Sequence, residues 1–120
     1  MQLVEIIKAL AHENRLRILN LLKDSSLCVC ELENLLGISQ SNASRHLKKL
    51  KNCGLISGRK QEQWVHYDLN EELLEKHSFI KQLLENEFSN QPLFRRDIDK
   101  LRRYNESDYT CENIDEADIF

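Results

Sequence analysis

Proline and glycine are scarce, at one and three residues in 120, so the chain is neither collagen-like nor a flexible low-complexity segment. No apolar run is long enough to span a membrane. Charges interrupt the apolar residues of the first stretch, MQLVEIIKALAHENR, so it does not read as a signal peptide. These absences lead us to expect a cytoplasmic protein without a membrane partner. In that compartment its four cysteines stay reduced, and serve as ligands, redox thiols or packing residues rather than disulfides. There is no Gly-rich phosphate loop and no paired acid–base constellation, which argues against an enzyme or an organic cofactor. Charge of one sign is missing from two stretches. Ser39 to Gln61 has six bases and no acid, whereas Tyr104 to Phe120 has six acids and no base. The net charge of −3 hides this asymmetry, and local charge governs attraction to a polyanion better than the sum does.

What is present is mostly helical periodicity. Leu3, Ile6, Ile7 and Leu10 share one helical face. A second helix is expected from about His12 to Lys23, with Leu16, Leu19 and Leu22 apolar. Ser25 and Ser26 break the pattern, and Val29, Leu32 and Leu36 make a short third helix ended by Gly37. Ser39 is a good N-cap for a fourth, with Ala43, Leu47 and Leu50 as its buried stripe and Gly54 as its stop. Residues 55–57 and 64–69 read as two strands around a polar tip from Gly58 to Gln63. Asn70 caps a further helix with Leu73, Ile80, Leu84 and Phe88 on one face, and Pro92 opens a last one carrying Phe94, Ile98 and Leu101. The expected fold is mainly α with a small β-hairpin. A domain over residues 1–103 is followed by an acidic, loosely ordered tail over 104–120.

A short helix, a tight turn at Gly37 and a second helix with an apolar inner stripe make a helix-turn-helix, and the hairpin that follows makes it winged. The outer face of the second helix carries Gln40, Ser41, Ser44 and Arg45, whose side chains suit base edges or backbone. Lys48, Lys49 and Lys51 suit phosphates, which supply affinity without sequence information. His46 either donates to a phosphate or caps the core. Arg59 and Lys60, placed at the wing tip, reach toward backbone or minor groove. The partner implied is double-stranded DNA.

Three stretches, ALAHENRLRILNLL, SLCVCEL and ISQSNASRHLKKLKNCGLI with WVHYDL in the wing, resemble the ArsR/SmtB family of metal-sensing repressors over roughly residues 3 to 90. The resemblance implies a homodimer joined through its first and last long helices, and repression lifted by metal. It also implies that Gln40, Ser41, Ser44 and Arg45 face the groove.

Cys28 and Cys30 flank Val29 at the start of the third helix. Thiolates select soft ions, and a helix N-terminus lowers a thiol pKa. Residues i and i+2 of an α-helix point about 200° apart, so both sulfurs are expected to grip one ion only if the first turn distorts. The family's arsenic sensors share the CVC element, and some have a further cysteine three residues on, where this chain has Glu33. Its cadmium and lead sensors add thiols near the N-terminus, where this chain has none. Trivalent arsenic or antimony as inducer therefore fits best, with a cadmium- or lead-responsive repressor and a thiol-redox regulator as alternatives. Cys111, in the polar stretch YTCENI, is the candidate third ligand. Cys53 is the other candidate, read mainly as a packing residue.

Overall fold

The computed structural model describes residues 1–117; residues 118–120 of the expected tail lie outside the described residues. Four helices open the chain: α1 (Gln2–Leu10), α2 (Glu13–Leu22), α3 (Val29–Leu36) and α4 (Gln40–Asn52), with a two-residue strand β1 (Leu27–Cys28) before α3. Strands β2 (Ile56–Gln61) and β3 (Trp64–Leu69) form the wing. The sheet has three strands in the order β1-β3-β2, and both pairings are antiparallel. Beyond it lie α5 (Glu71–Lys76), α6 (Ser78–Gln82), a π turn (Leu83–Glu87), a 3-10 turn and α7 (Pro92–Asn105). The architecture is a winged helix-turn-helix, as expected.

The local signals explain most of these boundaries. The Ser39 hydroxyl accepts from the Asn42 N–H at 3.2 Å, and the Asn70 side chain accepts from the Leu73 N–H at 3.3 Å. Each such cap satisfies an orphan donor and contributes about 1 kcal/mol. Gly37 closes α3 with a φ of 67°, a backbone conformation that costs residues with a Cβ and not glycine. Ala43, Leu47 and Leu50 of α4 are all buried.

Several expectations are corrected. The wing tip is shorter, because β2 runs on to Gln61 and the turn is made at Glu62, with a φ of 59°. Ile7 is half exposed and does not join Ile6 and Leu10 in the core. The helix after Asn70 is interrupted at His77, where φ is −123° and ψ 81°. Leu73 and Leu74 lie before the break and Ile80, Leu84 and Phe88 after it, and all five are buried. The long C-terminal helix implied by the resemblance is thus segmented.

The tail is not loosely ordered over residues 104–117. Helix α7 continues to Asn105, Tyr104 and Ile114 are buried, and Tyr109 packs on the core. Asn34 Nδ2 donates to Asp115 at 2.9 Å, which fastens the tail to α3. The physical reason is that one isoleucine and two tyrosines give this acidic segment enough apolar surface to dock.

Helix α7 is itself anchored to α2. Arg17 Nε and Nη2 donate to the two oxygens of Asp97 at 2.8 and 2.9 Å, and Asp97 is fully buried. The paired geometry offsets the desolvation of both ions. Removing one partner leaves the other charge buried alone, which costs about 3 to 5 kcal/mol. Arg17→Ala is therefore expected to lower the unfolding free energy by about that amount in urea titration. A loss well under 1 kcal/mol would show that Asp97 is not held by this pair.

Candidate functional site

Two sites were expected, a DNA-reading face and a thiol pair. On α4, Gln40, Ser41, Ser44, Arg45, Lys48, Lys49 and Lys51 are all exposed. Arg45 Nη2 donates to Asn42 Oδ1 at 2.8 Å, which steadies the guanidinium on that face. His46 is not on it. The residue is 2% exposed; its ring packs at a tilt against His12 with centroids 4.3 Å apart and lies 3.5 Å from Arg15 Nη1. Burial depresses its pKa, and the neighbouring His12, Arg15 and Arg45 add to that. A neutral buried imidazole is a core residue, so the phosphate role for His46 is corrected.

The wing also departs from expectation. Arg59 lies within β2, where its guanidinium donates to Asp68 at 3.0 Å, Gln61 at 3.0 Å and Ser26 at 3.1 Å. It braces the sheet rather than projecting from a tip. Lys60 is exposed on the same strand.

The thiol site is built where three elements end. Cys28 closes β1 and is the N-cap of α3, with an extended backbone at φ −95° and ψ 171°. Cys30 sits one residue inside α3. Cys111 lies in a turn of the tail that Asn113 steadies by accepting from the Thr110 N–H at 2.7 Å. All three sulfurs fall within 4.8 Å of one another, with Cys28 and Cys30 Sγ 3.0 Å apart. Two expectations change here. Cys28 precedes the helix, so the 200° argument does not apply and both sulfurs converge with α3 intact. The cysteines are also not all free: Cys28 and Cys111 are joined as a disulfide, while Cys30 and Cys53 remain thiols. The tail turn brings the Cys111 sulfur into the small space already shared by the other two. Cys53 is half-buried at the end of α4, where its Sγ donates to the Leu50 carbonyl at 3.3 Å.

Glu31 organises the site. Its Oε1 accepts from the Cys28 N–H at 2.9 Å, and its Oε2 accepts from the Tyr104 hydroxyl of α7. The carboxylate is buried. The expected lowering of thiol pKa at the helix start does not hold for Cys30, which is pushed up to about 11. Burial is the main cause and the Glu31 charge the next; backbone N–H groups act in the opposite direction and are outweighed.

The donor set fits a small soft ion. Thiolates on such an ion sit at about 2.3 Å, which keeps any two of them within about 4.6 Å. Reduction of the Cys28–Cys111 bond leaves three sulfurs close to that condition. Sequence reasoning did not find Glu31, Tyr104 or the Arg17–Asp97 pair, and only the Glu31 position three residues after Cys28 carried a local signal.

The family described as bacterial regulatory protein, arsR family, matches residues 12–57. The cadmium resistance transcriptional regulatory protein CadC homolog of Staphylococcus aureus is 36% identical over 92 residues, covering 76% of this chain and 71% of that protein. The chain belongs to the arsR family. The arsenical resistance operon repressor of Escherichia coli K12 is 47% identical over 68 residues, covering 56% of this chain and 58% of that protein. HlyU from Vibrio cholerae superposes with a TM-score of 0.60 at 38% identity, covering 70% of this chain and 91% of that one. The homodimeric winged helix-turn-helix DNA-binding domain Mb0332 from Mycobacterium bovis gives 0.62 at 25% identity, covering 76% and 85%. Cys28 and Cys30 lie inside the family match of this arsR-family chain, and Cys111 lies outside it.

In the Cys28–Cys111 disulfide form, where burial and then the Glu31 charge push the Cys30 thiol up to about 11, its labelling by iodoacetamide should rise about tenfold per pH unit until about pH 11. The native chain keeps this proton over the window from 9.0 to about 11 in which the unfolded chain releases it. Stability from this group is therefore full below pH 9.0 and falls toward about 11. Urea midpoints of the disulfide form should drop relative to Cys30→Ser across that window; parallel curves would refute the shift.

Proposed function

We propose that this chain is a homodimeric transcriptional repressor that binds a double-stranded DNA operator through α4. It releases that operator when trivalent arsenic or antimony is taken by the thiolates of Cys28, Cys30 and Cys111. The observation that carries the reading is the convergence of three sulfurs within 4.8 Å at the junction of sheet, support helix and tail. Three thiolates satisfy a trivalent ion of this kind, and no larger cluster of ligand side chains occurs among the described residues.

The elements behind each sulfur supply a route to the DNA face. Cys28 pairs across the sheet with His66 of β3, so its position is tied to the wing. Cys30 is in α3, which packs against α4 and hands over to it through Gly37. Cys111 belongs to the tail. Joining the three fixes the tail against the support helix and the wing base together, and so sets the pose of α4 relative to the wing. The dimer is supported by the apolar residues that α1 leaves exposed, Met1, Val4 and Ile7, and by the homodimeric mycobacterial structure. A cadmium- or lead-responsive repressor is the second reading, favoured by the similarity to the staphylococcal CadC homolog.

A DNA-release assay across arsenite, antimonite, cadmium, lead and zinc tests both readings. Arsenite and antimonite should release the reduced wild type and Cys53→Ser. Cys28→Ser and Cys30→Ser should lose the response, and Cys111→Ser should weaken it. Release by cadmium or lead alone would install the second reading, and full arsenite response in the Cys28→Ser, Cys30→Ser double variant would overturn the thiol site.

The two kinds of residue on α4 should separate as well. Arg45→Ala should cost about 1 to 3 kcal/mol on the operator and relax its sequence preference. Lys48→Ala should weaken operator and random DNA alike and flatten the salt dependence. The reverse pattern in competition binding would mean that the roles are exchanged.

A further inference from the structure

Cys111 lies in the wall of an open cavity of about 530 Å³, together with Trp64, Tyr104, Tyr109, Glu62 and Glu112. It is partly accessible to solvent, whereas Cys28, its disulfide partner, is 1% exposed. One member of the pair therefore meets solvent-borne reagents and the other does not. The aromatic walls and the carboxylates at the cavity admit an uncharged reagent in preference to an anion.

We propose that this cavity is a reaction site for a neutral hydroperoxide, with Cys111 as the oxidised thiol and Cys28 as the resolving one. The Cys111 thiolate attacks one peroxide oxygen, the O–O bond breaks, and water or the alcohol leaves once it has taken a proton. Cys111 is then a sulfenic acid. The Cys28 thiolate attacks that sulfur, the S–S bond forms, the S–O bond breaks, and the hydroxide leaves as water with the Cys28 proton. Two thiols are oxidised by two electrons and one hydroperoxide is reduced. The product is the pairing that the structure contains, Cys28 with Cys111 and Cys30 left free. Because it consumes two of the three candidate ion ligands, oxidation and soft-ion binding exclude each other. The reaction itself does not depend on the ion-binding reading.

The test uses the full chain, reduced, treated with hydrogen peroxide, quenched with N-ethylmaleimide and mapped by peptide mass. The expected map has an intramolecular Cys28–Cys111 crosslink, with Cys30 and Cys53 alkylated. Cys30→Ser should keep the crosslink and Cys111→Ser should lose it. A dominant Cys28–Cys30 or intermolecular disulfide, or a Cys111 sulfinic acid without crosslink, would overturn the proposal. The wild-type map alone decides it, so a folding defect in a variant does not matter. In a second arm, arsenite retention by the peroxide-treated protein is expected to be lost and restored by dithiothreitol. Undiminished retention by crosslinked protein overturns the mutual exclusion. A crosslink in a chain whose reduced form never retains arsenite supports the peroxide site and counts only against the ion reading.

Discussion

The buried Glu31 carboxylate is the constraint on which the thiol-bearing end of this molecule depends. A charged group out of water must be met by donors, and here the two donors come from distant parts of the chain. The Cys28 N–H lies at the junction of β1 and α3, and the Tyr104 hydroxyl lies near the end of α7. Satisfying one carboxylate thus sets where α3 begins and where α7 ends. The tail emerges from α7 already beside the thiols, and six residues separate Tyr104 from Cys111. Burial first, and the same charge after it, raise the pKa of Cys30, so the group that assembles the site also helps to keep one of its thiols protonated. Any event that draws a proton from Cys30, whether ion binding or exchange, acts against Glu31.

The Arg17–Asp97 pair extends this framework to the middle of α7. Phe94, Leu101 and Tyr104 bury one face of α7. With the ion pair, the helix is fixed in register on α2, and the tail inherits that register. Helix α2 also carries Asn20, which donates to the Phe94 carbonyl at 3.1 Å. The thiol site is therefore referenced to the rigid centre of the domain rather than to its surface.

Helix α4 was legible in the sequence because every signal for it is local. Ser39 caps, Ala43, Leu47 and Leu50 repeat at helical spacing, and Gly54 follows. The convergence of Cys28 with Cys30 was legible as a pair but not in its geometry, since one residue of difference in a helix boundary decides whether a sulfur lies on the helix or before it. His46 and Arg59 were misplaced for a shared reason. Polar side chains near a basic surface invite a nucleic-acid role, and only tertiary partners such as His12, Arg15, Asp68 and Ser26 reveal that they are already engaged. The two-residue strand β1 and the 80-residue separation of Arg17 from Asp97 left no periodic trace. The docked tail was missed because its average composition is acidic, while Tyr109 and Ile114 do the packing.

Cys111 differs from its two companions in what the rest of the protein asks of it. Cys28 is buried at the N-cap of the support helix and Cys30 lies in its first turn. Cys111 occupies a surface turn outside the segment shared with the family. Lengthening, shortening or repopulating that turn would change the surroundings of the three sulfurs while leaving helix α4 intact. The thiol cluster and the helix-turn-helix are thus separately editable, and the chemistry around the first is free to change in an arsR-family regulator while the second stays the same.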